Sequence, residues 1–337
     1  MSVRCFCKLA FALLALAFCS GCESLSYYSQ AIGGHLHVMA AARPVGDWLA
    51  DPATPDDLRA RLETAQRIRQ FASKSLGLPD NGSYTAYAEL GRPFVVWNVF
   101  AAPEFSVEPK QECFPFIGCV AYRGFFSEAA ARRHAETLKR EGFDPHVGGV
   151  LAYSTLGWFD DPLLSTFIRY PEAQVARLVF HELAHQLVYA KGDTPFNESF
   201  AVVVEEEGVR RWLEAQGRTT ELAAFRAAQA RKREFAARVK AARERLAAVY
   251  RTNLSPEEMR EHKRGEFERL RAEFPAVVPR EPSNAFLASV ALYNDLVPGF
   301  ERLLAQSGGS LEKFYARARE LASSKPSIRD TLLAQHP

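Results

Sequence analysis

The sequence predicts an α+β fold: mostly helical, with one small sheet in the middle of the chain. Three observations carry this. Apolar residues recur with the helical period before about residue 80 and after about residue 171. Residues 81–170 instead carry β-branched and aromatic runs separated by Gly and Pro. Finally, 47% of the 337 residues are apolar, enough to build a sizeable core.

Residues 1–21 stand apart. Arg4 and Lys8 precede or flank the apolar run LAFALLALAF, which ends at CSGC. A run this short does not span a bilayer comfortably, and the small residues that close it mark a secretion signal. The Ser-Gly-Cys ending resembles the lipobox of bacterial lipoproteins, with Cys19 where leucine is usual; the resemblance implies cleavage before Cys22 and a lipid on it. Glu23, in place of Asp, favours the periplasmic face of the outer membrane. The expected localisation is therefore the bacterial cell envelope, with the membrane reached through the N-terminal lipid. Without residues 1–21, which hold two of the 42 basic residues and none of the 40 acidic ones, 40 of each sign remain. That balance gives no reason to expect a nucleic-acid partner.

Residues 22–80 are expected to form an N-terminal helical segment of two helices, SYYSQAIGGHLHVMAAARPVGDWL and TPDDLRARLETAQRIRQFASKSLG. Residues 81–170 form the small α/β part. Its strands are RPFVVWNVFAA, CVAYRGFF and HVGGVLAYST, and its helix is SEAAARRHAETLKREG. Within it Cys113 and Cys119 close a short loop, CFPFIGC, which in an exported protein is read as a disulfide. Residues 171–217 hold two helices joined by a turn at KGDTPF, the second starting near Asn197. Residues 218–337 are helical again, opening with a long charged hairpin broken near NLSPEE, whose charge marks a solvated surface.

The chemistry concentrates in LVFHELAHQLVYAKGDTPFNESFAVVVEEEG. His181 and His185 are four residues apart, so both imidazoles leave one face of a helix. Two such nitrogens suit zinc, and a catalytic zinc takes three protein ligands. Glu198 is the expected third, since the interval lets a second helix return beside the first. Glu182, rotated away from the ligands, is expected to act as general base on the attacking water and to pass the proton to the leaving amine. Glu205, two turns beyond Glu198, is expected to orient a ligating histidine, with Asn197 also in that outer shell. Of Glu205, Glu206 and Glu207, two are expected to be solvated.

His181-Glu182-Leu183-Ala184-His185, followed by Asn197-Glu198-Ser199-Phe200-Ala201 and Glu205, resembles the metal core of the gluzincin metallopeptidases. The resemblance implies a zincin-like core, one zinc ion on His181, His185 and Glu198, and a peptide substrate. The Gly-Ala-Met-Glu-Asn motif of the large zinc aminopeptidases is absent. A closer resemblance covers nearly the whole chain. The stretches GCESLSYYSQAIGGHL, ARPVGDWLADPATP, LGLPDNGSYTAYAELGRPFVVWNVFAAPEFS, GGVLAYSTLGWFDDPLLSTF and FHELAHQLVYAKGDTPFNESFA are similar to a bacterial family of putative aminopeptidases, often lipoproteins. Related peptidases place a substrate-pairing edge strand where AYSTLGWFDDP stands, and Tyr293 is a candidate donor to the oxyanion.

The expected function is zinc-dependent peptide-bond hydrolysis by an aminopeptidase. Two rivals stand beside it: an envelope endopeptidase of the same chemistry, and a non-enzymatic scaffold lipoprotein. Asp160, Asp161 and Glu206 are the carboxylates that could hold a substrate α-ammonium group.

Overall fold

The computed structural model of the chain describes residues 27–114, 118–292 and 296–334. The expected signal peptide 1–21, the lipid-bearing Cys22 and the oxyanion donor Tyr293 lie outside the described residues.

The first helix, α1, spans 27–41. It lies directly on the Phe126 ring at Gly34, where a Cβ would fall 2.2 Å from that ring. The sequence reading ran this helix on through Arg43 and Pro44. Instead Pro44, which biases the residue before it toward extended backbone, ends the short strand β1 (Ala42–Pro44), and a separate helix α2 (Val45–Ala50) follows. The next helix, α3 (Asp56–Leu76), starts with Asp56 and Asp57 at the positive end of its dipole and stops at Gly77, in the left-handed conformation at φ 67°.

The middle of the chain forms three small sheets. The largest orders β6 (Tyr122–Phe125), β3 (Val96–Pro103) and β7 (Phe143–Val150), all antiparallel. Helix α4 (Glu128–Arg140) lies on it, burying Ala131, Ala135 and Leu138 against Trp97, Val99 and Phe125. A second sheet orders β1, β2 (Ala86–Ala88) and β8 (Leu163–Leu164). The third is the hairpin β4 (Glu112–Phe114) and β5 (Gly118–Val120), in which Cys113 and Cys119 face each other and are joined by a disulfide. The edge strand expected at AYSTLGWFDDP does not form. Positive φ at Leu156 (56°) and Gly157 (81°) turns the chain there, and the Asp161 carboxylate accepts from the Thr155 amide at 2.9 Å, so residues 152–162 are a built loop.

The helices α5 (Glu172–Leu187) and α6 (Thr194–Ala215) form the centre of the main core, with α3, α10 (Val297–Gln306) and α11 (Leu311–Ala322) around them. Beyond α6, α7 (Thr219–Val249) and α8 (Pro256–Glu273) make the charged hairpin, and α9 (Asn284–Leu292) and α12 (Pro326–Ala334) complete the helical part. The hairpin has its own apolar seam, including Val239, Ala242, Leu246, Phe267 and Leu270. Lys263 on α8 reaches Asp144 of β7 at 2.6 Å, tying the hairpin to the sheet. Among the described residues no helix is long and apolar enough to cross a membrane.

Candidate metal centre

Two helix faces make the site. Helix α5 is buried all round: every residue from Leu178 to His185 is shielded from solvent. Helix α6 begins three residues before the expected start, because Asp193 caps it by accepting from the Phe196 amide at 3.1 Å, with Pro195 in the first turn. Asn197 does not reach the histidines. Its amide oxygen accepts from Ala190 N at 2.7 Å and its amide nitrogen donates to Ala190 O at 2.9 Å, so it clamps the α5–α6 turn and is no outer-shell partner of the ligands. The disulfide hairpin leans on the same turn, where a Cβ on Gly118 would fall 3.2 Å from Gly192 Cα.

This packing brings His181, His185 and Glu198 together. His181 Nε2 lies 3.1 Å from His185 Nε2 and 3.3 Å from Glu198 Oε2, and His185 Nε2 lies 3.8 Å from the same oxygen. A tetrahedral ion with bonds near 2.0–2.1 Å needs ligand atoms about 3.3–3.4 Å apart. These three atoms are close to that spacing and could hold such an ion together. Two imidazole nitrogens with one carboxylate oxygen suit zinc and its neighbours in the transition series better than calcium or magnesium, which prefer oxygen.

Glu205 supplies the outer partner. Its Oε2 is 2.9 Å from His181 Nδ1, an acceptor that favours a proton on that nitrogen and leaves Nε2 facing His185 and Glu198. Glu205 is itself held by Arg177 Nη1 at 2.9 and 3.0 Å. Arg177 was not singled out in the sequence, although it stands one turn before His181 on the same helix face. Glu206 and Glu207 are only partly exposed, their side chains at 19% and 13%, and are less solvated than expected. Glu206 pairs with Gln229 and Arg233, and Glu207 with Arg210 and Arg211. Those partners also leave Glu206 unavailable to a substrate ammonium group.

The charge balance of the cluster is unusual for a buried site. Burial raises the Glu205 carboxyl, but Arg177 and His181 outweigh it and hold the group down at about 2. Glu198 is likewise raised by burial and lowered further by His185 and His181, for a net depression. Burial disfavours a charged His181, yet Glu198 and Glu205 together push its pKa up to about 10, and burial takes His185 down to about 4. Two buried carboxylates thus demand positive charge beyond that of Arg177, at the point where the three ligand atoms meet. The Nδ1 of His185 has no hydrogen-bond partner among the described residues.

Glu182, next to His181, takes no part in the three-ligand set; burial raises its carboxyl to about 7. Two loops and the strand β6 close around it. Arg69 on α3, buried, donates to the carbonyl oxygens of Pro79, Asn81 and Ser83 and fixes that loop. The loop in turn binds Gln186, through Asn81 Nδ2 at 2.8 Å and Ser83 Oγ at 3.1 Å. It ends at Tyr84, a non-glycine residue at φ 64°, whose buried phenol is raised by burial and then by Glu182. The phenol of Tyr122 on β6 is raised by burial and then by Glu198. Asp161 is 2% exposed; its Oδ2 accepts from Thr155 N, while its Oδ1 is buried without a partner among the described residues. Asp160, by contrast, is exposed, its carboxylate lying against Gly82. Nothing in local spacing points to Tyr84, Tyr122 or Arg69, because each arrives from a distant part of the chain.

No curated protein and no solved structure matches the chain. A family model described as "Putative aminopeptidase" matches residues 26–333, and the protein belongs to that family.

Proposed function

We propose that the protein is a zinc-dependent peptidase with a zincin-like core, and that it removes residues from the free amino terminus of peptides. The observation that supports this reading most is the meeting of His181, His185 and Glu198 beside a buried carboxylate, Glu182, that is left out of the ligand set. A zinc ion held by the three would supply Lewis acidity, polarising the scissile carbonyl and lowering the pKa of a nearby water. The chain's own part is proton handling and positioning. Glu182, buried beside the three and outside the ligand set, is placed to take a proton from the attacking water and deliver it to the departing amide nitrogen. Glu205 and Arg177 hold His181 in the required tautomer. The unpartnered Oδ1 of Asp161 is the carboxylate oxygen we assign to the substrate's α-ammonium group.

The apolar run before Cys22 and the disulfide of Cys113 and Cys119 support export to an oxidising compartment and anchoring through a lipid on Cys22. Cys22→Ser is expected to block processing and release the chain from membranes.

The function is tested by measuring the metal content of the purified protein and its activity on paired peptides with free and acetylated amino termini. One zinc per chain is expected, with cleavage of the free peptide only. Equal cleavage of both would make the enzyme an endopeptidase. Bound zinc with no hydrolysis across a broad peptide set would support the scaffold reading instead.

A further inference from the structure

Helix α1 carries no Asp, Glu, Lys or Arg in its fifteen positions, 27–41, although 24% of the chain is charged. Its inner face, through Tyr27, Gly34 and Val38, lies on the protein. Its outer face presents Tyr28, Ile32 and Leu36, spaced four apart in one stripe and exposed by 39%, 60% and 56%. The loop 152–162 is docked beside that stripe: Tyr153 Oη lies 2.8 Å from His35 Nδ1, and the Phe159 ring stands 4.6 Å from the His35 ring. The loop adds Phe159 at 50% and Trp158 at 81% exposure. Trp158 sits on a built turn, its amide donating to Thr155 O at 3.1 Å. Five large apolar side chains thus share one side of the molecule. A cluster of this kind on a folded chain marks a contact surface.

The chain itself says what the contact is. The apolar run at residues 9–18 ends four positions before Cys22, and Tyr27 follows Cys22 by five positions. At about 3.3–3.6 Å per residue, α1 begins within about 18 Å of whatever holds Cys22. Were the apolar run itself the anchor, nine residue spans from Phe18 would set the limit at about 32 Å. No described helix can cross a bilayer, so contact would lie in the interface, where an uncharged helix face flanked by Trp and Tyr is favoured.

We infer that the outer face of α1, with Trp158 and Phe159, rests on the surface of the phospholipid bilayer in which the chain is anchored. The contact is more than a tether. Because Asp161 follows Phe159 by two residues, the membrane would fix the orientation of the loop that borders the candidate metal centre. The inference rests on residues 1–22 directing the chain to a membrane, and its test separates the two ideas.

Trp158 is its own probe, since Trp97 and Trp212 are 6% exposed and Trp48 is half-buried. The full-length protein is reconstituted into vesicles of phosphatidylethanolamine and phosphatidylglycerol brominated on the acyl chains. Flotation reads anchoring, and indole quenching reads contact. The wild type should float and lose Trp158 emission, and Trp158→Phe should remove that quenching. A double variant, Ile32→Glu with Leu36→Glu, should float as before but be quenched at least about two-fold less. Failure to float would overturn the anchor and the contact together. Floating protein whose Trp158 remains open to aqueous iodide would overturn the contact alone. Protection from both quenchers, growing with protein density in the vesicle, would replace the bilayer with a second copy of the chain and would also overturn it.

Discussion

Two helix pairs lie side by side in this molecule, joined by turns of equal length, residues 188–193 and 250–255. Both are dense in ionisable residues, and the sequence marks each mainly by that density. In α5–α6 one group of charges points inward: Glu182, Glu198 and Glu205 lie around the two histidines, and Arg177 completes the group. In α7–α8 they point outward, as in the pair of Arg238 and Glu273, whose side chains are 55% and 46% exposed. Burying charge costs several kcal/mol per ion, so a chain keeps it inside only where something offsets the desolvation. The inner pair is therefore expected to respond to substitution through metal binding and chemistry, and the outer pair hardly at all.

The sharpest way to break this contrast is Glu182→Gln. The glutamine keeps size and hydrogen bonding but cannot accept a proton. Zinc content should be unchanged and peptide hydrolysis at least about a thousand-fold slower, since in the proposed reaction one residue would handle both proton transfers. Loss of zinc in that variant would make Glu182 a ligand, and retained activity would remove it from the chemistry.

A smaller effect ranks the two glutamates of α6. Glu198→Ala should strip most of the zinc, measured by metal analysis after dialysis. Glu205→Ala should weaken binding by only about 10- to 100-fold, because it removes the orientation of His181 and leaves the ligand atoms in place. The reverse order would exchange their roles.

These residues show how far spacing reaches. Intervals of four, and then of about four turns across a loop, suffice to bring His181, His185 and Glu198 together, because a helix fixes the direction of each side chain once its period is known. Glu205 follows from the same argument. Asn197, one residue from Glu198, points some 100° away and serves the turn. What spacing cannot supply is the wall around Glu182. Tyr84, Tyr122 and Asp161 come from loops and strands placed by the fold, and Arg69 acts on that wall from α3 mainly through backbone carbonyls. The middle of the chain was legible as strand in β3, where RPFVVWNVFAA carries β-branched and aromatic residues together, while β7 overlaps the expected HVGGVLAYST only over 146–150. It was misread at AYSTLGWFDDP, where the left-handed Leu156–Gly157 turn overrides a strand-like composition. Glu206 and Glu207 were misread because an acidic run looks alike whether it faces water or arginines on neighbouring turns and helices.

Within the outer pair, Lys263 and Glu266 on α8 are buried exceptions, and Glu266 sharpens the comparison. It is 4% exposed and bound by Arg245 at 2.7 and 2.9 Å and by Arg269 at 3.0 Å. Both arginines are more than half exposed, so they can return to water once the carboxylate is gone. Glu266→Ala should therefore cost about 1.5 kcal/mol, the low end for a lost charge-assisted bond, read as a lower urea midpoint with an unchanged slope. Zinc affinity should not move. A loss above about 3 kcal/mol would mean that the hairpin, too, is held by buried charge.

The smallest effect is expected at Arg238, whose Nε lies 3.1 Å from Glu273 across the hairpin. In water two unit charges a few ångströms apart attract by only about 1 kcal/mol. Holding two long side chains in one arrangement consumes much of that, and salt screens what is left. The alanine in Arg238→Ala also has a slightly better helix propensity than the arginine it replaces. The seam of Val239, Ala242, Leu246, Phe267 and Leu270, untouched by the change, continues to hold α7 against α8. The variant should lie within about 0.5 kcal/mol of the wild type in urea unfolding, with the same difference in low and high salt. A cost above about 1 kcal/mol that disappears in high salt would show the hairpin's surface charge to be structural, and the division between the two helix pairs would then be one of degree.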